Sequence, residues 1–468
     1  MKLKKLVSLA VVCTMLAGTA SLAGCGKKVN DKDDKGRTVI SVGSYPSKEG
    51  IARDNFNARK EKFEKDNPDV VINPDEWKFE IQSFYAKAAG GQLPTVFETY
   101  LTEINQCIDS GYAADISKVL KKRGYDGKFN KRLIELVSNG GKVFAFPYGV
   151  GLQGLGYNTE MFEKAGLMES DGTPKQPKDW DEVREFAIKI KNATGKPGIV
   201  FPTSGNSGGW LFTCLAWSYG TEFMKQNKDG KWEATFDSKE AANALQYIKD
   251  LKWKYDVLPA NTLIDYNEYY KVFATGGAGI MMTDSALPRN VVQYGMTPDK
   301  VGMMAMPAGP KKHVSLIAGN VFMISENSTE DQIDAAIRWL ETAYNYKATD
   351  DFKKNKENNI NLQLEKNQLV GIKPMSVWDS DTESVKFEHN LIESKANANI
   401  NHVRLYNEFI ENGKAEMRPE EPVCAQELYA TLDSCIQEVL TNKDADCAKV
   451  LKKACADFQK NYLDNITY

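Results

Sequence analysis

The segment Gly205–Gly209 reads Gly-Asn-Ser-Gly-Gly and places Ser207 in a Gly-x-Ser-x-Gly pattern. Between a strand and a helix, this pattern can hold a serine nucleophile, which needs a histidine base and an orienting carboxylate. A predicted strand at 198–201 precedes it and an apolar helical stretch follows, so a secreted serine esterase is one interpretation. The available histidines are in polar sequence surroundings: His313, His389 and His402. A polar loop at a helix N-terminus that binds ligand hydroxyls is the favoured alternative.

Two carboxylates come at or just after predicted strands, Glu98 at the third and Asp284 after the apolar run 279–282. A glycoside hydrolase needs two carboxylates across a sugar ring. Carboxylates in a sugar-binding site also accept hydroxyl hydrogen bonds without catalysis. These residues alone therefore leave hydrolysis and binding open.

Gly149, Gly151 and Gly154 form a Gly-x-Gly-x-x-Gly pattern that in dinucleotide-binding proteins opens a helix. Here the following residues, 155–158, are predicted to be extended chain, so the required helix is missing. Glycines where the backbone bends at a hinge explain the pattern better. No cofactor is expected.

Sugars are bound by aromatic platforms combined with planar polar groups. Ligand-facing residues in open α/β sheets lie just past the carboxyl ends of strands. That rule, with polar or aromatic residues near predicted chain crossings, selects these candidate ligand-binding residues: Tyr45, Glu98, Tyr100, Tyr148, Trp210, Asp284, Ser285, Asn320 and Trp378. For Trp210 and Trp378, burial in a core is an equal alternative. No catalytic residue and no metal site is predicted.

The N-terminus has the pattern of a secretory signal peptide. Lys2, Lys4 and Lys5 precede an apolar run over 6–16 and then small residues. The run ends in Leu-Ala-Gly-Cys, which resembles the bacterial lipobox, so residues 1–24 are predicted to be a lipoprotein signal peptide and Cys25 to be lipidated. A lipid-anchored protein on the extracellular face of a bacterial membrane is expected. The charged residues that follow, to residue 37, are predicted to form a flexible tether.

Roughly 430 residues follow the predicted tether. This is more than one compact hydrophobic core usually contains, so the length indicates two lobes. The net charge of −3 gives no basic field for nucleic acid. Six cysteines follow the anchor without a Cys-x-x-Cys pair, which disfavours a zinc site. Cys424, Cys435, Cys447 and Cys455 lie in a predicted helical hairpin, as disulfides or as small core residues. An extracytoplasmic compartment slightly favours at least one bridge.

Short apolar strands alternate with amphipathic helices, which indicates an α/β architecture. The predicted strands are 38–42, 70–72, 95–97, 143–146, 198–201, 279–282, 301–306 and 321–324. Two helices have apolar residues at i, i+3, i+4 and i+7, beginning at Val183 and Ile333. Capping pairs are predicted at Asp179 with Glu182 and at Ser328 with Asp331.

Several segments in this order resemble the family 1 extracellular solute-binding proteins, the maltose-binding-protein-like components of bacterial ABC sugar importers. They are Phe63–Pro68, Ala88–Pro94, Gly141–Tyr148, Gly156–Gly166, Pro177–Glu182, Gly279–Met282 and Ala318–Ile324. After the strand at 279–282 the maltose-binding pattern has a tryptophan, whereas this chain continues Asp-Ser-Ala-Leu. That departure puts a malto-oligosaccharide in doubt.

The resemblance implies a type II periplasmic-binding-protein-like fold, with two lobes joined by hinge strand crossings around a ligand cleft. Lobe one is expected to hold 38–150 and 312–371, and lobe two 151–311 and 372–468. The resemblance also implies a monomer that binds a carbohydrate, performs no catalysis and delivers the ligand to ABC permease subunits. A peptide-binding transport protein of the same fold stays an alternative.

Overall fold

The structure is a computed structural model that describes residues 31–466. The predicted signal peptide and Cys25 lie outside these residues. The strands are Thr38–Val42 (β1), Val70–Pro74 (β2), Val96–Tyr100 (β3), Ser138–Asn139 (β4), Lys142–Val143 (β5), Ala145–Leu152 (β6), Gly154–Asn158 (β7), Met224–Gln226 (β8), Trp232–Ala234 (β9), Ile280–Thr283 (β10), Val301–Met304 (β11), Val314–Ile324 (β12) and Glu416–Arg418 (β13).

The helices connect and cover these strands. They are Ile51–Asp66 (α1), Ile81–Ala89 (α2), Ile104–Asp109 (α3), Ser117–Lys122 (α4), Lys131–Leu136 (α5), Thr159–Lys164 (α6), Trp180–Thr194 (α7), Ser207–Tyr219 (α8), Lys239–Trp253 (α9), Tyr266–Ala274 (α10), Leu287–Val292 (α11), Glu330–Glu341 (α12), Asp350–Glu365 (α13), Glu383–Ser394 (α14), Arg404–Asn412 (α15), Ala425–Thr441 (α16) and Cys447–Asn461 (α17). Strands and helices therefore alternate, as the sequence predicts for an α/β protein.

The larger sheet has the order β13-β12-β3-β1-β2, with β6 on the other side of β12. β1 is parallel to β2 and β3, whereas β12 is antiparallel to β3 and β6. Asn320 of β12 is paired with both Tyr100 and Gly149. The carboxyl end of β3 and the middle parts of β6 and β12 therefore meet at one edge of the sheet.

The smaller sheet has β7 between β10 and β11, both antiparallel to it. β6 pairs in the larger sheet as far as Leu152, and β7 begins at Gly154 in the smaller one. One short connection therefore carries the chain from one sheet to the other. This is the extended chain, without a helix, that the sequence predicts after the Gly-x-Gly-x-x-Gly pattern.

The helix signals in the sequence are largely confirmed. α7 begins after Asp179, whose side chain accepts a hydrogen bond from the backbone N–H of Glu182. α12 also forms, but its capping pair is Thr329 and Gln332, one residue later than predicted. Thr329 is the residue with extended backbone immediately before the helix, which is the geometry that a capping hydroxyl requires.

Three strand predictions are corrected by tertiary pairing. Residues 198–201 are not a strand, because only Ile199 forms an isolated bridge, to Ile280. The strand predicted at 143–146 is divided between β5, which ends at Val143, and β6, which continues to Leu152; the one predicted at 321–324 starts at Val314. These two extensions pair with each other, so each strand is longer than its local apolar run indicates.

The segment after residue 371 packs against aromatic residues in and next to the larger sheet. Trp378 is 5% exposed, and its ring lies 4.8 Å from that of Phe129 and 5.6 Å from that of Phe146. α14 packs against α13, and the two share a small apolar cluster separate from the main core. Contact with the smaller sheet begins at 400–402 and α15, which pack on β11.

The C-terminal helical hairpin forms as predicted, from α16 and α17. Cys435, Cys447 and Cys455 are buried, Cys424 is half-buried, and all four are free thiols. Of the two alternatives that the sequence left open, the structure shows no bridge among these four, and the three buried cysteines are small core residues.

The described part of the predicted tether, residues 31–37, is a turn. The Asp33 carboxylate accepts hydrogen bonds from the backbone N–H groups of Lys35 and Arg37 and pairs with the Arg37 guanidinium at 2.7 Å. Lys32 also reaches Asp331 of α12 at 2.8 Å. This part of the tether thus contacts the folded body. Within 31–466, no helix combines the length and apolar composition that crossing a bilayer requires.

Candidate functional site

A cluster of polar side chains forms where β3, β6 and β12 meet. The Glu98 carboxylate accepts hydrogen bonds from the Tyr148 hydroxyl and from the Asn320 amide, the latter at 2.5 Å. The Tyr148 ring stacks on Phe322 with 4.2 Å between centroids, which fixes the hydroxyl. All three polar residues are half-buried, so the cluster is both ordered and open to solvent.

The loop after β1 borders this cluster. Ser44 lies 3.4 Å from the second oxygen of Glu98 and has a left-handed backbone conformation, with φ of 62°. Tyr45 points toward α1 instead, where its hydroxyl accepts a hydrogen bond from Arg53 at 2.8 Å. Its ring packs edge-on against Phe56. Tyr45 is therefore beside the cluster, with its hydroxyl already bonded.

A cavity of about 240 Å³ lies between the end of β3, residues 317–320 of β12 and the start of α16. Tyr100 forms one wall and is 43% exposed, and its ring packs edge-on against Phe79 at 4.7 Å. Asn320, Glu420 and Gln426 supply polar groups. The cavity therefore joins an exposed aromatic ring with acceptors and amides, the combination that polyhydroxylated ligands require.

Glu420 is the charged residue among the described residues that line this cavity. Burial raises the pKa of its carboxyl to about 7, partly offset by the indole N–H of Trp210. That indole nitrogen is buried and makes no hydrogen bond of normal geometry, so its contact with Glu420 is a weak one. The structure thus places Trp210 behind the Glu420 carboxyl, at the start of α8.

Asp284 and Ser285 lie next to the crossing strand β6. A Cβ atom built on Gly151 would meet the Asp284 carboxylate at 3.0 Å, so these two residues touch across the sheets. Burial raises the pKa of Asp284, and the hydrogen bond from the backbone N–H of Ala286 partly offsets this. Ser285 lines a second cavity of about 390 Å³, between the start of α11 and α13–α14.

The Gly-x-Ser-x-Gly loop lies in the packed contact between α8 and α16. The Ser207 hydroxyl is buried and donates to the Ser204 carbonyl oxygen at 2.6 Å. The Asp433 carboxylate of α16 accepts hydrogen bonds at 2.7 Å from the backbone N–H groups of Asn206 and Gly209. A Cβ atom on Gly209 would lie 2.2 Å from the Tyr429 carbonyl oxygen. The glycine therefore permits close approach of α8 and α16.

The histidines are also engaged away from this serine. His313 bonds to the Met306 carbonyl oxygen at 2.9 Å, and His389 lies 3.2 Å from the Glu411 carboxylate. His402 is buried, which lowers its pKa. The arrangement that a serine esterase needs is not assembled in the described residues, and the esterase interpretation is not supported.

Of the predicted binding residues, Glu98, Tyr148, Asn320 and Tyr100 come together at one sheet edge. Trp210 borders the same region through Glu420, whereas Asp284 and Ser285 lie beyond Gly151. Trp378 is in the aromatic core. Sequence reasoning missed these residues: Ser44, Glu420, Gln426 and Tyr266, the last 37% exposed and close enough to Asp284 to feel its charge. Glu420 follows β13, a three-residue strand with no recognisable pattern.

Comparison with known proteins identifies a family. The family model described as bacterial extracellular solute-binding protein matches residues 46–350. The arabinooligosaccharide-binding protein of Bacillus subtilis is 22% identical over 312 residues, covering 65% of this chain and 67% of its own length. The sn-glycerol-3-phosphate-binding periplasmic protein UgpB of Agrobacterium fabrum is 29% identical over 199 residues, covering 40% of this chain and 42% of its own.

Solved structures share the fold. The cyclic alpha-maltosyl-1,6-maltose binding protein of Arthrobacter globiformis has a TM-score of 0.61 and 22% identity, over 90% of this chain and 98% of its own. UgpB of Mycobacterium tuberculosis, in complex with glycerophosphocholine, has a TM-score of 0.61 and 15% identity, over 91% and 98%. The predicted two-lobed, type II periplasmic-binding-protein-like fold is thereby confirmed.

Proposed function

We propose, from the premise that this chain belongs to the bacterial extracellular solute-binding proteins, that it binds a sugar or oligosaccharide between the two sheets and delivers it to an ABC permease. The Glu98 cluster carries this proposal. A half-buried carboxylate, held by Tyr148 and Asn320 beside the exposed Tyr100 ring, offers acceptors for sugar hydroxyls and an apolar face for the ring.

The position of the cluster supports a clamp mechanism. Glu98, Tyr148 and Asn320 lie on strands of the larger sheet, whereas Glu420 and Gln426 reach the same cavity from the side of α16. A ligand in this cavity contacts both sides and stabilises the form in which they approach each other. Bending at the connection between β6 and β7 then closes the cleft, and closure marks the loaded protein for the permease.

The cellular context extends this proposal. Lipidation at Cys25 holds the protein on the extracellular face of the membrane, and the protein acts as a monomer without catalysis or cofactor. The hinge crossings lie near 148–151 and 307–315. A third crossing between α14 and α15 is part of this proposal, and it is supported by the packing of Trp378 against Phe129 and Phe146.

Thermal unfolding of a protein lacking residues 1–25, across mono- and oligosaccharides, tests the function. A ligand that binds only the folded state raises the unfolding midpoint with the logarithm of its concentration over its dissociation constant. We expect one sugar to raise the midpoint and to be recovered intact. Absence of any shift, with ester hydrolysis that disappears in Ser207→Ala, would instead support the esterase.

A further inference from the structure

The relatives of this protein bind two classes of ligand that differ in charge. Some of these proteins are named for neutral oligosaccharides, and others for phosphate-bearing polyols. A phosphate is bound in proteins by Arg and Lys side chains, by backbone N–H groups or by helix N-termini. The charge that lines the cavity therefore bears directly on which class this chain accepts.

The described residues that line the first cavity include Glu420 but neither Lys nor Arg. Glu98 and Glu103 add carboxylates beside it: Glu98 contacts Asn320 of the lining, and Glu103 lies close enough to act on the charge of Glu420. The first turn of α16, which contributes Gln426, favours negative charge, but the Glu420 carboxylate already lies beside it in the cavity wall. The local field repels an added anion.

The nearest cation on this segment is already neutralised. Arg418 lies 2.7 Å from Glu222 and 3.1 Å from Glu421, and its guanidinium packs over the Trp217 ring. Freeing it would leave the buried Glu421 carboxylate without its ion pair, at a cost in stability. Arg418 is therefore not available to hold a phosphate.

Glu420 differs from the other two carboxylates in its hydrogen bonding. Glu98 accepts from Tyr148 and Asn320, and Glu103 from Tyr85. Among residues 31–466, Glu420 has only the weak contact with the Trp210 indole. The buried Tyr429 hydroxyl, which lies close enough to Glu420 to feel its charge, has no hydrogen-bond partner either. The Glu420 carboxylate, which lines the cavity, thus has acceptor capacity that a ligand hydroxyl can use.

We propose that Glu420 is a specificity-determining residue that accepts a hydrogen bond from an uncharged sugar hydroxyl and excludes phosphate-bearing ligands from the cleft. This inference rests on the proposed function. A hydroxyl satisfies the carboxylate, whereas a phosphate oxygen brings a second negative charge against it in a partly desolvated site.

The first experiment compares ligands on the protein lacking residues 1–25. Each panel sugar that binds is measured against its phosphate ester and against sn-glycerol 3-phosphate, by titration calorimetry. We expect phosphate esters to bind the wild-type protein at least about 100-fold more weakly than the sugar, from the repulsion between like charges in a cleft. Glu420→Gln removes the charge and is expected to reduce the ratio of sugar affinity to phosphate-ester affinity at least about tenfold.

Glu427→Gln is the matched control, because Glu427 is an exposed carboxylate on the first turn of α16. This control is expected to leave the ratio of sugar affinity to phosphate-ester affinity unchanged. If sn-glycerol 3-phosphate binds the wild-type protein as tightly as the sugar, the inference is overturned and the binding function stands. Phosphate binding that is lost in Arg289→Ala would place the anion at the second cavity, which Arg289 lines, and would also overturn it. Binding of neither class would overturn the proposed function itself.

The pH dependence gives a test that needs no variant. Because burial raises the pKa of Glu420 to about 7, its carboxylate is mostly protonated at pH 5.5 and mostly ionised at pH 8.5. A hydroxyl that donates to the ionised form binds more tightly as the pH rises, by about tenfold over this range. The titratable groups that face Glu420 are Glu103, Tyr100, Tyr429 and Glu421 with its partner Arg418. An unchanged affinity over this range would contradict the role of Glu420.

Discussion

Two polar clusters of this protein attract attention in the sequence, and they differ in whether their groups are free to meet a ligand. At the Gly-x-Ser-x-Gly loop, Ser207 is buried and bonded to Ser204, and Asp433 is bonded to backbone N–H groups. At the Glu98 cluster, the carboxylate is held in place but stays half-exposed beside a cavity. A motif that can do chemistry therefore has a structural role, and three scattered residues form the site.

Whether a polar group is free to bind a ligand, more than its chemical type, distinguishes the structural cluster from the candidate binding cluster. The loop holds two helices together, so changes there should alter stability. The cluster lies at an open edge, so changes there should alter affinity. Measuring both unfolding free energy and sugar affinity on each variant separates these two roles.

The largest effect is expected for Gly209→Ala. The added methyl group would lie 2.2 Å from the Tyr429 carbonyl oxygen, so α8 and α16 must move apart. We expect the free energy of unfolding to fall by about 3 kcal/mol, measured by urea denaturation.

Gly205→Ala, in the same loop, is the matched control. Gly205 has a positive φ of 66° and open space around its Cβ position. Only the left-handed backbone strain of about 1 kcal/mol is expected there. Equal losses for the two variants would show that helix packing is not what requires Gly209.

Glu98→Gln should weaken binding of the panel sugar with little loss of stability. Hydrogen bonds to a charged group contribute about 1.5–3 kcal/mol, so an affinity loss of roughly 10- to 100-fold is expected. Calorimetric titration measures it. Glu326→Gln, at an exposed carboxylate just beyond β12, should bind as the wild type does. Sugar binding unaltered by Glu98→Gln would remove Glu98 from the site.

Tyr148→Phe keeps the stack on Phe322 and removes only the hydroxyl that donates to Glu98. We expect sugar affinity to fall about fivefold, since one hydrogen bond contributes about 1 kcal/mol. Tyr344→Phe, in the same aromatic stack, is the matched control. A greater loss in the control would mean that the Tyr344 hydroxyl, and not the bond from Tyr148 to Glu98, positions the site.

The smallest effect on binding is expected for Ser207→Ala. The change leaves the Ser204 carbonyl oxygen without its donor and should lower the free energy of unfolding by about 1 kcal/mol. Sugar affinity should not change, because the hydroxyl does not face the cavity. A measured loss of affinity would return this loop to the candidate site.

Local patterns in the sequence determined several parts of this protein. The apolar spacing beginning at Val183 and the capping pair of Asp179 with Glu182 describe α7 as it is found. The strand at 38–42 was placed at its observed ends. Glu98 and Tyr148 were selected by the strand-end rule because the carboxyl ends of neighbouring strands meet at one edge. These features depend on residues close together in the chain.

The tertiary structure alone decided the rest, because it depends on contacts between distant residues. β6 and β12 are longer than their apolar runs because they pair with each other. Trp378 was placed in the core by Phe129 and Phe146, and Ser207 was removed from solvent by the packing of α8 against α16. Glu420 became part of the site because β13 joins β12 and brings the following residues to the cavity. Burial and availability are properties of such contacts, which no local spacing encodes.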